Sequence, residues 1–165
     1  MRERGHVVNA VGLGVGIGVL LEPALTMDTV VAVLTVGVPV LLGALFPDID
    51  TSFGKHRQTF HNLAVLAGFA AFPVVFGNLA YVWLGVLTHY VLDLLGNVKG
   101  MALLYPHETF YDVPVGVNVD SRWADVVTLL VTGVELAMAA AILEWGPTVL
   151  MEAPPEVQSV VLGLV

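Results

Sequence analysis

The chain has 165 residues, of which 57% are apolar and only 12% are charged, and its mean hydropathy is +0.87. Soluble domains carry about 25% charged residues, so this composition indicates a membrane protein and excludes a disordered chain. The net charge of −8 excludes a nucleic-acid binder, and the absence of Cys excludes disulfides, Fe–S clusters and Cys-ligated zinc.

Four apolar runs predict the membrane-spanning helices, and in chain order they cover residues 7–21, 29–46, 63–95 and 126–143. The third run would form a helix of about 50 Å, which is too long for a bilayer core of about 30 Å. Gly77-Asn78 near its middle favours a turn, so we predict two spans there. The predicted fold class is therefore all-α: a polytopic transmembrane helical bundle of about five spans.

The two ends of the chain need separate interpretations. We expect the first run to be retained rather than cleaved as a signal peptide, because its evenly spaced glycines suit close helix packing. Residues 1–146 are predicted to form the transmembrane domain, and residues 147–165 a short tail that is either interfacial or frayed, because Pro154-Pro155 breaks it. The acidic surplus also suits a cell with high internal salt.

All the basic residues fall on one side of a five-span bundle. They precede the first span or lie in the loops 47–62 and 97–123, and they are Arg2, Arg4, Lys55, Arg57, Lys99 and Arg122. Because cytoplasmic loops carry the excess of Lys and Arg, we predict that the N-terminus and both loops are cytoplasmic and that the C-terminus lies outside.

His89 and Asp93 are ionisable residues inside an otherwise apolar run. Their i, i+4 spacing places both on one helix face, and an ionisable group within a span usually faces a partner, a cavity or an ion. Two interpretations remain open: the pair ligates a metal, or it forms a His–Asp hydrogen bond that joins two helices.

A second polar segment follows the second span. Asp48 and Asp50 come directly after Pro47, where both carboxylates can turn toward a cation or simply end the helix at the water. His56 and His61 add imidazoles. Arg57 suits bidentate phosphate recognition, or it anchors the chain at the cytoplasmic interface.

The predicted topology brings these groups, together with His6, to one membrane depth. Histidine and aspartate without cysteine make a mixed nitrogen and oxygen site that suits Zn²⁺, Mn²⁺ or Fe²⁺. More than four candidate ligands allow two metals, an arrangement that favours phosphoester hydrolysis.

The residues Leu45-Phe46-Pro47-Asp48-Ile49-Asp50, then His56-Arg57 and His61, resemble the "LPDIDH … HR … THS" signature of the YdjM-like family. A second block of that family is matched by Gly85-Val86-Leu87-Thr88-His89, Asp93-Leu94-Leu95 and Leu104-Tyr105-Pro106, and the early His6 is also typical. Thr51 stands where the family usually has His. The resemblance implies a membrane-bound, metal-dependent hydrolase. More remotely, the order of His and Asp residues resembles zinc-dependent phospholipase C and P1-type nucleases.

These observations favour a membrane-embedded metal-dependent hydrolase that acts on an ester or phosphoester at the cytoplasmic leaflet. Its expected cofactor is a divalent transition metal, zinc first, and its expected partners are membrane lipids and a phosphoester or lipid substrate. The alternatives are a cation-binding or cation-translocating protein, and a structural membrane subunit. The candidate metal ligands are His6, Asp48, Asp50, His61, His89 and Asp93, and the candidate catalytic residues are Asp50, His56 and Arg57.

Overall fold

A computed structural model describes residues 3–77, 79–96, 98–114, 117–118, 121–155 and 157–158. Its elements are α1 (Glu3–Leu21), α2 (Met27–Leu45), a 3-10 turn (Pro47–Ile49), α3 (Asp50–Phe53), α4 (Leu63–Phe76), α5 (Val82–Leu95) and α6 (Ala124–Glu152). The segments Glu3–Leu21, Met27–Phe53 and Ala124–Glu152 are long and apolar enough to cross a membrane, and α4 and α5 are shorter apolar helices. The predicted all-α transmembrane bundle with five principal helices is confirmed.

The turn predicted within the long third run is present. Helix α4 ends at Gly77, whose φ of 68° lies in the left-handed region, and its N–H donates to the carbonyl of Pro73 at 2.8 Å. Glycine adopts this conformation without a steric penalty and commonly ends helices. Helix α5 then begins at Val82, so the run is divided as expected, although Asn78 lies outside the described residues.

Helix α6 is longer than the apolar run that predicted it. It contains Pro147 and continues to Glu152, so the segment predicted as a tail begins as helix. Proline removes one backbone donor, which a transmembrane helix tolerates when neighbouring groups satisfy the freed carbonyl. The end of the predicted tail, residues 159–165, lies outside the described residues, as does Arg2.

Small residues allow the central helices to approach closely. A Cβ on Gly14 of α1 would lie 2.4 Å from the Cα of Gly37 on α2, and a Cβ on Gly18 would lie 2.5 Å from the Cα of Val33. The glycine pattern of the first run therefore mediates helix packing, as its spacing predicted. Around it the buried core consists of Ala10, Leu13, Ile17, Val36, Val40 and Ala44.

The two polar loops pack together at one end of the bundle, where α1 and α4 begin and α2 and α5 end. The N–H of Ala102 donates to the carbonyl of Arg57, and the N–H of Leu63 donates to the carbonyl of Leu103, each at 2.9 Å. An antiparallel bridge between Met101 and Tyr111 stiffens the second loop. The positions of the basic residues predicted that these two loops lie on the same side, and the structure does place both loops at the same end of the bundle.

Candidate metal centre

All the predicted site residues meet at this end of the bundle. His6 lies in the first turn of α1, His89 and Asp93 lie on α5, and the other members come from the segment between α2 and α4. Five side chains are almost completely buried, with at most 2% of their surface exposed: His6, Asp50, His61, His89 and Asp93. So many ionisable groups in an apolar bundle require partners, because an isolated buried charge is very costly.

The centre of the cluster is a contact between two imidazole rings. Nε2 of His61 lies 3.1 Å from Nε2 of His89. Nδ1 of His89 lies 2.6 Å from the carbonyl oxygen of Ala44, and Nδ1 of His61 lies 2.8 Å from Oδ2 of Asp50. Both oxygens only accept hydrogen bonds, so each neutral ring carries its hydrogen on Nδ1. The two Nε2 lone pairs therefore face each other.

Two carboxylates point at the same space. Oδ1 of Asp48 lies 3.9 Å from Nε2 of His61 and 3.7 Å from Nε2 of His89. Oδ2 of Asp93 lies 3.8 Å from Nε2 of His61. Tetrahedral zinc with bonds of 2.0–2.1 Å separates its ligand atoms by about 3.3–3.4 Å, which falls within the observed separations. The donor set and its spacing fit a transition-metal ion.

His6 extends the cluster toward the interior. Its ring stacks on that of His89 with centroids 3.8 Å apart, and its Nε2 lies 3.3 Å from Oδ1 of Asp93. Neither ring nitrogen of His6 makes a hydrogen bond of acceptable geometry, and such a buried polar group is expensive to leave unsatisfied. The ligand atoms of His6, His89 and Asp93 lie within 4.8 Å of one another, as do those of Asp48, His56 and His61.

Asp50 lies behind the ligand atoms and orients two rings. Its Oδ1 lies 2.9 Å from Nδ1 of His56, and its Oδ2 lies 2.8 Å from Nδ1 of His61. A carboxylate that accepts from the second nitrogen of a ligating histidine fixes the ring and its tautomer. The geometry thus supports an orienting role for Asp50 rather than direct ligation. His56 is the most exposed member of the cluster, with 44% of its side chain accessible.

Arg57 is buried and holds Asp93. Its Nη2 donates to Oδ2 of Asp93 at 2.8 Å, and its Nη1 donates to the carbonyls of Lys99 and Gly100. The sequence suggested two roles for Arg57, bidentate phosphate recognition or anchoring of the chain at the cytoplasmic interface. In the structure its guanidinium group pairs with the Asp93 carboxylate, so the contacts of Arg57 support a role in fixing a ligand and the second loop.

His61 is in the protonation state that metal binding requires. Burial lowers the pKa of His61, and the neighbouring Asp50 carboxylate opposes this shift without cancelling it. The ring is therefore neutral at neutral pH. A neutral imidazole with its hydrogen on Nδ1 presents a free electron pair at Nε2.

Sequence reasoning missed several groups that build the site. The Tyr90 hydroxyl donates to the carbonyl of Phe60 at 2.5 Å and accepts from the N–H of Asn62 at 3.1 Å, which ties α5 to the loop carrying His61. Asn62 caps α4 by accepting from the N–H of Val65, a role its residue type and place before the apolar run could have indicated. Thr51, at the position of the family histidine, is exposed and donates to the carbonyl of Asp48.

Comparison with known proteins identifies a family for this chain. No curated protein and no solved structure matches the chain, so the remote resemblance to zinc-dependent phospholipase C and P1-type nucleases stays a prediction. The family model described as "YdjM inner membrane protein" matches residues 1–153. This range includes every residue of the cluster described above, and the chain therefore belongs to the YdjM inner membrane protein family.

Proposed function

We propose that the cluster binds a divalent transition metal, zinc in the first place and manganese or iron as alternatives, and that the protein is a membrane-embedded metal-dependent hydrolase. The observation that carries this proposal is the 3.1 Å contact between Nε2 of His61 and Nε2 of His89. With both hydrogens on Nδ1, the contact is repulsive unless a cation lies between the nitrogens.

The residues have distinct roles in this proposal. His61, His89, Asp48 and Asp93 would hold the ion, with His6 available to a second ion beside Asp93. A bound metal of this class lowers the pKa of a water ligand and polarises an ester or phosphoryl oxygen. Asp50 keeps the ring of His61 in position and tethers His56 through its Nδ1.

His56 is the proposed proton-transfer group. Its ring is partly exposed at the edge of the cluster, and Asp50 orients it. A histidine in this position can take a proton at Nε2 from an attacking water or return one to the leaving alcohol, and such a group contributes typically 10²- to 10⁴-fold to a rate. Arg57 acts indirectly by fixing Asp93.

The location of the cluster suggests its substrate. It lies at one end of the bundle, where a lipid headgroup meets the ends of the helices, and a phosphoester or ester of a membrane lipid is the proposed substrate. The basic residues in the flanking loops favour the cytoplasmic leaflet as the side on which this chemistry occurs.

Metal analysis of the purified protein tests the proposal directly. We expect bound transition metal in the wild type, loss of that metal in His89→Ala, and full retention in His107→Ala, because His107 is exposed and lies outside the cluster. His56→Ala should keep the metal and lose hydrolysis of phospholipid vesicles or of a soluble phosphomonoester. Equal metal content in His89→Ala and wild type would instead support a purely structural role for the His and Asp pairs.

A further inference from the structure

A second polar cluster lies one helical turn deeper, where α1, α5 and α6 meet. Asn9 Nδ2 lies 2.7 Å from Oε2 of Glu135 and 2.9 Å from Oγ1 of Thr132. Oγ1 of Thr88 lies 2.6 Å from Oε1 of Glu135 and 2.6 Å from Oδ1 of Asn9. The Thr132 hydroxyl donates to the carbonyl of Thr128 at 2.8 Å. The metal-binding proposal uses none of these groups.

The hydrogen atoms of this cluster can be counted. The two amide hydrogens of Asn9 are donated to Glu135 and Thr132. The hydrogens in the two 2.6 Å contacts of the Thr88 oxygen must therefore come from other groups. Thr88 has one hydroxyl hydrogen, and the Asn9 carbonyl has none. Thr88 must therefore donate to Asn9, and the contact between Thr88 and Glu135 requires a hydrogen on Glu135. With an ionised carboxylate, one contact of 2.6 Å would join two unshielded lone pairs.

The conclusion does not depend on the orientation of the Asn9 amide, which heavy atoms alone do not fix. With oxygen and nitrogen exchanged, Asn9 donates to Thr88, and its carbonyl oxygen then lies 2.7 Å from Oε2 of Glu135. That contact also needs a hydrogen on Glu135. In both orientations the short contacts of the Glu135 carboxyl group are satisfied only when Glu135 is a neutral carboxylic acid.

The surroundings of Glu135 also favour the neutral form. It lies eleven residues after the start of α6, about 16 Å along the helix, inside a segment that is long and apolar enough to cross a membrane. The side chains that contact its carboxyl oxygens in the described part of the chain, Asn9 and Thr88, are uncharged. A carboxylate at this depth is costly.

Glu135 and Thr88 border a cleft between α5 and α6. The cleft has a volume of about 630 Å³, and its lining is otherwise largely apolar. Leu130, Val134 and Met138 line it and are each more than half exposed on the outer surface of the bundle. An apolar molecule dissolved in the bilayer can therefore reach the carboxyl group without crossing the metal centre.

We propose that Glu135 is a proton-binding site inside the membrane that opens to the lipid phase through this cleft. Its ligand is a single proton, shared between Glu135 and Thr88 and supported by Asn9. The site is separate from the metal centre, and the proposal stands whether or not the metal binds.

An apolar carbodiimide reacts with a protonated carboxyl group that faces lipid, so this reaction can detect Glu135 in the proposed state. The O–H of a carboxylic acid adds across one C=N bond of dicyclohexylcarbodiimide: the carboxyl oxygen bonds to the central carbon, and the proton moves to the nitrogen. The adduct rearranges to a stable N-acylurea, and no other reactant is consumed. An ionised carboxylate supplies no such proton, and water-exposed carboxylates do not lie in the lipid phase where this reagent dissolves.

The experiment treats the purified protein in lipid vesicles at neutral pH with dicyclohexylcarbodiimide and maps the adduct by mass spectrometry. We expect labelling at Glu135, no labelling at the exposed Glu22 or Glu108, and no labelling in Glu135→Gln. A water-soluble carbodiimide should leave Glu135 unmodified. An unlabelled Glu135, or protection of Glu135 by sodium but not potassium, would overturn the assignment of a proton.

Infrared spectroscopy provides a second measurement that does not depend on reagent access. The carbonyl stretch of a protonated carboxylic acid should be present in the wild type and absent in Glu135→Gln. The amide of Gln can donate to Thr88 and accept from Asn9, so this variant should keep the melting temperature of the wild type. If Glu135→Gln instead lost a carboxylate band, Glu135 would be ionised in the wild type. A large fall in the melting temperature of Glu135→Gln would contradict the proposed hydrogen-bond pattern.

Discussion

Nε2 of His61 faces Nε2 of His89 at 3.1 Å, while the hydrogens of both rings lie on Nδ1. A proton shared between these nitrogens would relieve their repulsion, but it would not bond to the Asp48 and Asp93 oxygens that lie 3.7–3.9 Å from the same nitrogens. A divalent cation satisfies the two rings and these two carboxylates together. The orienting contacts behind the rings are therefore as important as the ligand atoms.

The first prediction concerns Asp50, which accepts from both His56 and His61. In Asp50→Asn, one carboxylate oxygen becomes an amide nitrogen that cannot accept a hydrogen bond from a ring N–H. We expect metal affinity to fall about 10- to 100-fold, the usual effect of removing a partner behind a metal ligand. Titration of the metal-free protein with zinc measures this change, and Asp112→Asn, at an exposed position, is the control. Equal affinity in Asp50→Asn and wild type would remove Asp50 from the site.

The second prediction concerns Arg57. Arg57→Ala leaves the buried Asp93 carboxylate and the loop carbonyls without their donor. Removing one partner of a buried ion pair costs about 3–5 kcal/mol of unfolding free energy, so we expect a clear fall in melting temperature together with weaker metal binding. Arg57→Lys should recover only part of the melting temperature and of the metal binding, because an ammonium group cannot reproduce the planar, forked donor geometry of guanidinium.

Arg122→Ala is the matched control, because Arg122 is exposed and stacks on the ring of Trp123. Arg122→Ala should change neither the melting temperature nor the metal binding appreciably. An Arg57→Ala protein with wild-type stability and metal content, but without hydrolysis, would return Arg57 to the direct role in phosphate binding that the sequence suggested.

The third prediction concerns the close approach of α5 to α2. A Cβ on Gly85 would lie 2.0 Å from the carbonyl oxygen of Val40, and one turn later His89 donates to the carbonyl of Ala44. Gly85→Ala should therefore push the helices apart, break the hydrogen bond that fixes the ring of His89, and lower both metal affinity and melting temperature.

Gly68→Ala provides the comparison, because a Cβ there meets nothing within 4 Å. Alanine is favoured over glycine in a helix interior by about 0.8–1.0 kcal/mol, so this variant should be neutral or slightly more stable. If both variants behave alike, the approach of α5 to α2 does not control the site.

The residues of the site could be predicted from the sequence because they lie near helix ends that meet at one end of the bundle. The ionisable side chains of His89 and Asp93 stand out in an apolar run at i, i+4 spacing, and Asp48, Asp50 and His61 fall where alternating helices meet at one end. The number of helices followed from the lengths of the apolar runs, and the turn at Gly77 from its residue type.

The roles within the site could not be predicted in the same way. Periodicity does not fix how far each helix rotates about its axis, so the sequence does not reveal that Arg57 pairs with Asp93 or that Thr88 and Asn9 contact Glu135. Backbone acceptors such as the carbonyl of Ala44 leave no signal in a side-chain pattern. The sequence also did not predict that α6 continues through Pro147, because the bundle tolerates a residue that usually breaks a helix.

The last prediction concerns orientation. Lys55, in the loop that carries the site, and Met27, at the opposite end of the bundle, are both well exposed, at 60% for the Lys55 side chain and 75% for Met27. The native chain contains no Cys, so Lys55→Cys and Met27→Cys each introduce a single thiol. Lys55 pairs with Glu108 on the surface, and losing such a pair costs about 0–1 kcal/mol, so the fold should be preserved.

Because cytoplasmic loops carry the excess of Lys and Arg, an impermeant maleimide added to intact cells should label Met27→Cys and leave Lys55→Cys unlabelled until the membrane is opened. Labelling of both variants after the membrane is opened confirms that each thiol is reactive. The reverse pattern in intact cells would place the metal centre on the outer side, where hydrolysis would act on a different lipid leaflet. Bound metal would remain expected in that case, because the ligand geometry of His61 and His89 does not depend on which leaflet they face.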